Sequence, residues 1–288
     1  MLNLVDTHVH FWDTSYLRYD WLAGLPRLNR PFLPPELPAR GPGWRLDGLV
    51  FVQADCAPDQ GQAEVEWVAG LAAAHPVVQG IVAFAPLERG EGARAQVDWL
   101  SRQPLVKGVR RLIQQEPVGF AMQPEFVRGV ALLADCGLSF DVCIRHYHLP
   151  EVIALARQCP AVAFVLDHIG KPNIKDGVLE PWRAQLSELA SLPNVHCKLS
   201  GLVTEADHER WQPADLRPYL DHVLSAFGPE RVMFGSDWPV QSLAARYEQW
   251  VEVLRDATAA LPEAARLRLF SQTARAFYRL PAAPTQKT

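Results

Sequence analysis

The chain has 288 residues, 49% hydrophobic and 21% charged, with a formal net charge of −4, an ordinary soluble globular composition. No Lys/Arg run exceeds the pair Arg110 and Arg111, so neither the basic stripe of a nucleic-acid-binding protein nor a polybasic membrane patch is present. No stretch approaches the roughly 18 apolar residues of a membrane span, and Asp6, His8 and His10 come too early for a signal peptide; a cytoplasmic location is expected.

Taken in chain order, short apolar or β-branched runs predict strands at 2–9, 48–54, 80–84, 107–113, 139–144, 162–167, 195–199 and 231–234. Apolar residues at three-to-four spacing predict intervening helices at 63–74, 93–101, 125–135, 150–157, 181–192 and 218–227, then a closing helix at 243–257 and an extra one at 262–278. Near-continuous apolar strands alternating with amphipathic helices indicate a parallel sheet under a helical layer, and eight repeats suggest a closed (β/α)8 TIM barrel. Residues 12–44 carry six of the 24 prolines and no helical period, so an irregular proline-rich excursion over one barrel mouth is expected there. One barrel spanning 1–280 and a disordered tail at 281–288 account for the length. The five cysteines are scattered and form no C-x-x-C, which argues against a disulfide or zinc-ribbon framework.

The strongest local signal is Asp6-Thr7-His8-Val9-His10 at the end of the first strand. Alternation along a strand sends His8 and His10 to one side, about 7 Å apart, where they can share a metal ion or simply form a hydrogen-bonded interior pair. Later strands end in Arg145-His146-Tyr147-His148, in Asp167-His168 and in Ser236-Asp237-Trp238-Pro239. In a barrel these C-terminal strand ends surround one mouth, where the active sites of this architecture lie. Three histidines and an aspartate there suit a borderline divalent ion with an open position for water.

With these residues the sequence resembles the amidohydrolase superfamily of metal-dependent barrels. Val165-Leu166-Asp167-His168-Ile169-Gly170-Lys171-Pro172, Cys197-Lys198-Leu199-Ser200-Gly201-Leu202 and Phe234-Gly235-Ser236-Asp237-Trp238-Pro239 resemble the amidohydrolase-2 branch, in particular its sugar-lactonase group. The resemblance implies hydrolysis of a sugar-acid lactone by activated water. It puts His8, His10, His146 and Asp237 on ligand positions for one divalent metal, Zn2+ being expected, with His148 a second candidate for the fifth-strand ligand. It makes Asp237 and His168 catalytic. The bridging lysine of binuclear members has no counterpart, since Lys107 precedes its strand, which favours one metal or none; a pyrone-dicarboxylate branch works without metal.

Arg110 and Gln114 share a parity on the fourth strand and its exit and are candidates to bind substrate, the alternative being that one of Arg110 and Arg111 faces the helices in an ion pair. Lys198 on the seventh strand, and Trp12 and Trp238 beside the mouth, are further substrate-binding candidates, with interior ion pairing or packing of the excursion as the alternatives. Lys171 and Pro172 read as a structural turn. Two other functions remain open: non-oxidative decarboxylation of an aromatic or muconate-type acid, and a catalytically inactive ligand-binding barrel. The expected partner is a small lactone, with no nucleic acid or membrane; monomer and homo-oligomer are both open.

Overall fold

The computed structural model describes residues 1–282, so residues 283–288 of the expected tail lie outside the described residues. Strand β1 (Leu2–Val9) leads into the excursion, whose end, β2 (Arg40–Gly41), pairs antiparallel with β3 (Trp44–Val52). There follow α1 (Gly61–Ala74), β4 (Val78–Ala83), α2 (Arg94–Ser101), β5 (Val106–Val109), α3 (Pro124–Asp135) and β6 (Ser139–Val142). The second half runs α4 (Leu149–Gln158), β7 (Phe164–Leu166), α5 (Trp182–Ala190), β8 (Val195–Leu199), α6 (Pro213–Phe227), β9 (Val232–Phe234) and α7 (Tyr247–Ala257).

The eight parallel strands are ordered β1-β3-β4-β5-β6-β7-β8-β9. They close where β1 meets the chain leaving β9: the Asp237 N–H donates to the His8 carbonyl (2.8 Å) and the His10 N–H to the Trp238 carbonyl (2.7 Å). The architecture is thus the expected (β/α)8 barrel. Apolar runs such as Leu49-Val50-Phe51-Val52 are continuous because both strand faces are buried. Leu49 and Phe51 join the main core, while Val50 and Val52 face an inner cluster with Val5, Val82, Val165 and Met233.

Several boundaries differ from expectation. Helix α6 begins at Pro213 rather than 218, because Asp215 accepts the Gln212 N–H (2.8 Å) and caps the start. The extra C-terminal helix is broken into α8 (Glu263–Leu267), a π turn (Arg268–Gln272) and α9 (Thr273–Phe277). Beyond α9, Tyr278 and Leu280 join the inner cluster and plug the barrel from the end opposite the strand C-termini. The Tyr278 hydroxyl donates to Asp141 Oδ2 (2.6 Å), both groups being fully buried. Tyr278→Phe leaves that carboxylate oxygen one donor short, and a loss of about 1–3 kcal/mol is expected; an unchanged urea midpoint would show that this bond adds nothing.

Candidate active site

The site is built on the barrel seam. If β1 alternated strictly, the inward-facing Val5 would turn His8 outward. A register shift between Asp6 and Val9 re-aims the strand. Asp6 secures the shift: its Oδ1 accepts the N–H of His8 (3.1 Å) and of Ser236 (2.8 Å), and its Oδ2 accepts the Tyr247 hydroxyl (3.0 Å). Burial pushes the Asp6 carboxyl up to about 6. The seam therefore holds His8 and Asp237 side by side before any ligand arrives.

Three non-glycine residues just past strand ends adopt left-handed backbone: Asp55 (φ 57°) after β3, His168 (φ 53°) after β7 and Asp237 (φ 68°) after β9. Such residues are uncommon and concentrate at functional sites. Around His168 the left-handed stretch continues through Ile169, Gly170 and Lys171. The ring is cradled by Gly201 (φ 65°), where a Cβ would collide with His168 Nδ1.

At the pocket floor, Asp237 Oδ1 lies 3.3 Å from His10 Nε2, 3.7 Å from His8 Nε2 and 4.0 Å from His168 Nε2. His8, His168 and Asp237 offer ligand atoms all within 4.8 Å of one another. The other ring nitrogens are engaged behind them. His10 Nδ1 is 2.7 Å from the Val52 carbonyl, to which it must donate, leaving Nε2 as an unprotonated acceptor aimed at a carboxylate. His168 Nδ1 meets Ser200 Oγ (3.0 Å) and His8 Nδ1 meets Asp167 Oδ1 (3.2 Å). Such outer partners orient metal-bound imidazoles, and acceptor facing acceptor at 3.3 Å calls for a cation or a proton between them. The donor set therefore fits one divalent ion. A competing feature is Arg110, whose guanidinium approaches His8 Nε2 (3.2 Å).

Below the floor lies a dry ionic chain. Lys198 Nζ contacts Asp141 Oδ2 (2.6 Å), Asp167 Oδ1 (3.0 Å) and His8 Nδ1 (3.3 Å), and Asp167 Oδ2 lies 3.5 Å from Arg110. Burial opposes ionisation of Asp167, but Lys198 and then His8 outweigh it and hold the carboxyl well below its ordinary range. Burial likewise opposes the charge on Lys198, yet Asp141 and Asp167 raise its ammonium above the usual value.

Burial lowers all three imidazoles, His168 to about 4. They are therefore neutral at pH 7, free to accept or ligate. For Asp237, burial acts upward, but His168 and His10 outweigh it and keep the carboxyl below its usual range. The acid limb of kcat/KM is thus expected below pH 6.5, activity being lost as pH falls through the lowered folded-state values. An acid limb near 6.5 would contradict this.

The structure redistributes the expected residues. His8, His10, His168 and Asp237 converge, and Arg110 and Gln114 line the same pocket. His146 does not join them: β6 ends at Val142, so His146 sits on a turn beyond the mouth, half-buried, its Nδ1 3.3 Å from the Lys171 carbonyl. His148 Nε2 instead lies 3.1 Å from the Glu116 carbonyl. The residue that β6 delivers to the pocket is Cys143. Lys198 is interior and engaged by carboxylates rather than facing the pocket. Trp12 is buried in the excursion, its Nε1 donating to the Leu28 (3.1 Å) and Arg30 (2.8 Å) carbonyls, and Trp238 packs on Phe11 and Phe32. The excursion presents Trp21 to the pocket instead, anchored by its Nε1 on the Ala54 carbonyl (2.8 Å). Lys171, expected as a plain turn, lines the pocket with its Nζ 2.6 Å from Gln114 Oε1. Asp55 escaped notice, although it stands at a C-terminal strand end, a position that carries function in a barrel, and Asp167, read there only as part of a strand-end motif, is the support of His8.

A parallel barrel with imidazoles and a carboxylate gathered at the C-terminal mouth is an enzyme architecture, and the Amidohydrolase family profile (Amidohydro_2) matches residues 5–280: the chain belongs to the amidohydrolase family. It is 38% identical to the L-fucono-1,5-lactonase of Burkholderia multivorans over 96% of each chain. It is 33% identical to the L-fucono-1,5-lactonase of Burkholderia ambifaria, over 96% of this chain and 95% of the other. A crystal structure of a Burkholderia multivorans amidohydrolase with bound zinc is similar at TM-score 0.85 and 36% identity, covering 98% of this chain and 100% of that one. No helix among the described residues is long and apolar enough to cross a membrane.

Proposed function

We propose that this chain hydrolyses a sugar-acid lactone to the open hydroxy acid. The observation that carries the reading is the convergence of His8, His10 and His168 Nε2 on Asp237 Oδ1, at 3.3–4.0 Å, on the floor of an open pocket lined by Trp21, Asp55, Arg110, Gln114 and Lys171. One aromatic ring among several polar side chains suits a small polar ligand, and the similarity to the named lactonases supports the same substrate class.

His8, His10, His168 and Asp237 would hold the ion, Zn2+ by our reading; when bound, such an ion acidifies water and polarises a carbonyl. Asp237 takes a proton from the attacking water as it adds to the lactone carbonyl. Charge then builds on the former carbonyl oxygen, where the Arg110 guanidinium stabilises it. As the ring C–O bond breaks, Asp237 returns its proton to the leaving alkoxide, so one carboxylate serves both steps. Gln114 and Lys171, paired across the pocket wall, orient the substrate.

A pH-indicator screen of five- and six-membered aldonolactones, with metal content measured on the same sample, tests this reading. Acid release from at least one aldonolactone is expected. A protein inert to every lactone, or one that releases CO2 from an aromatic acid instead, would overturn it.

A further inference from the structure

We propose that Asp55 determines substrate specificity: its carboxylate receives hydroxyl groups of a neutral polyhydroxylated lactone and repels anionic lactones. The inference rests on the lactonase reading. Asp55 follows β3 at the pocket rim, in the same left-handed conformation that aims His168 and Asp237 inward. Its backbone N–H is tied to Gln53 Oε1, which holds the turn, while among the described residues its exposed side chain has neither a hydrogen-bond nor an ion-pair partner.

Neither cation of the same pocket is paired with Asp55. Arg110 meets His8, Asp167 and the Gln53 carbonyl, and Lys171 is bonded to Gln114. An anionic substituent placed against Asp55 would therefore face a carboxylate that no cation has paired. A diol face, in contrast, can donate two hydrogen bonds to the Asp55 oxygens, which accept without donating. A site built to bond hydroxyls also rejects analogues that lack them.

Asp55→Asn and Asp55→Gly both tolerate the left-handed backbone, so the fold is expected to survive, as circular dichroism would verify. The kcat/KM ratio for L-fucono-1,5-lactone over δ-valerolactone, which has no hydroxyls, is expected to fall by about 10–100-fold in both variants. The ratio for anionic D-glucaro-1,4-lactone over L-fucono-1,5-lactone is expected to rise. Unchanged ratios in both variants would overturn the proposal. If the unaltered protein turns over no lactone, the lactonase reading fails separately. Calorimetric titration with L-fucono-1,5-lactam, a neutral isostere that resists opening, then decides: weaker binding by Asp55→Asn upholds the role of Asp55, and equal binding refutes it.

Discussion

Asp237→Asn is expected to lower kcat/KM for lactone opening by roughly 10²–10⁴-fold, the range associated with a positioned general acid–base group, while leaving the barrel folded. The amide keeps the size of the side chain and its left-handed backbone, which Asn adopts readily. It cannot take a proton from water, and it replaces the charged oxygen on which the three imidazoles converge at 3.3–4.0 Å. The seam survives because its bonds at this position are made by the backbone, through the Asp237 N–H and the His8 carbonyl. Steady-state kinetics with circular dichroism on the same preparation check both halves. Near-normal turnover by a folded variant would remove Asp237 from the chemistry.

Lys198→Met is expected to give the largest loss of stability, about 3–5 kcal/mol, the cost of breaking a buried ion pair from one side. The ammonium lies between Asp141 Oδ2 (2.6 Å) and Asp167 Oδ1 (3.0 Å), and all three side chains are fully excluded from solvent. Its removal strands two carboxylates in a dry interior. Adding Asp141→Asn to this variant removes one of those charges and is expected to recover part of the loss. Urea denaturation of the single and double variants measures the effect. A single-variant loss below about 1 kcal/mol would mean that the carboxylates are neutralised in another way. Activity is expected to fall as well, because Asp167 orients His8 through Nδ1 (3.2 Å).

The motif at the end of β1 was legible in the linear order because it joins two signals: a β-branched strand and two imidazoles two residues apart. Asp167-His168 and Ser236-Asp237 were readable for the same reason. His146 was misplaced because apolar pattern alone carried the predicted strand through 144, whereas pairing with β5 and β7 ends β6 at Val142. Trp12 and Trp238 looked available to substrate because proximity to a motif says nothing about which way a ring points. Their partners, Phe11, Phe32 and the carbonyls of the excursion, are contacts made only on folding. Asp55 offered only its place after a strand end, since left-handed backbone is not advertised by an aspartate as it would be by a glycine.

Alternation of apolar strands and amphipathic helices along the chain was enough to specify a barrel and to put histidine and aspartate at its strand ends, because burial on two faces imposes short-range periodicities. Which of those residues face one another was settled by contacts distant in sequence. Asp6 bonds to Ser236 across 230 positions to close the seam, and Lys198 reaches Asp141 across 57 to balance the interior charge. A register shift or a left-handed residue turns a side chain to the opposite face at a local cost of only about 1–3 kcal/mol. Contacts closed by the whole barrel can offset that cost, and no local pattern encodes it.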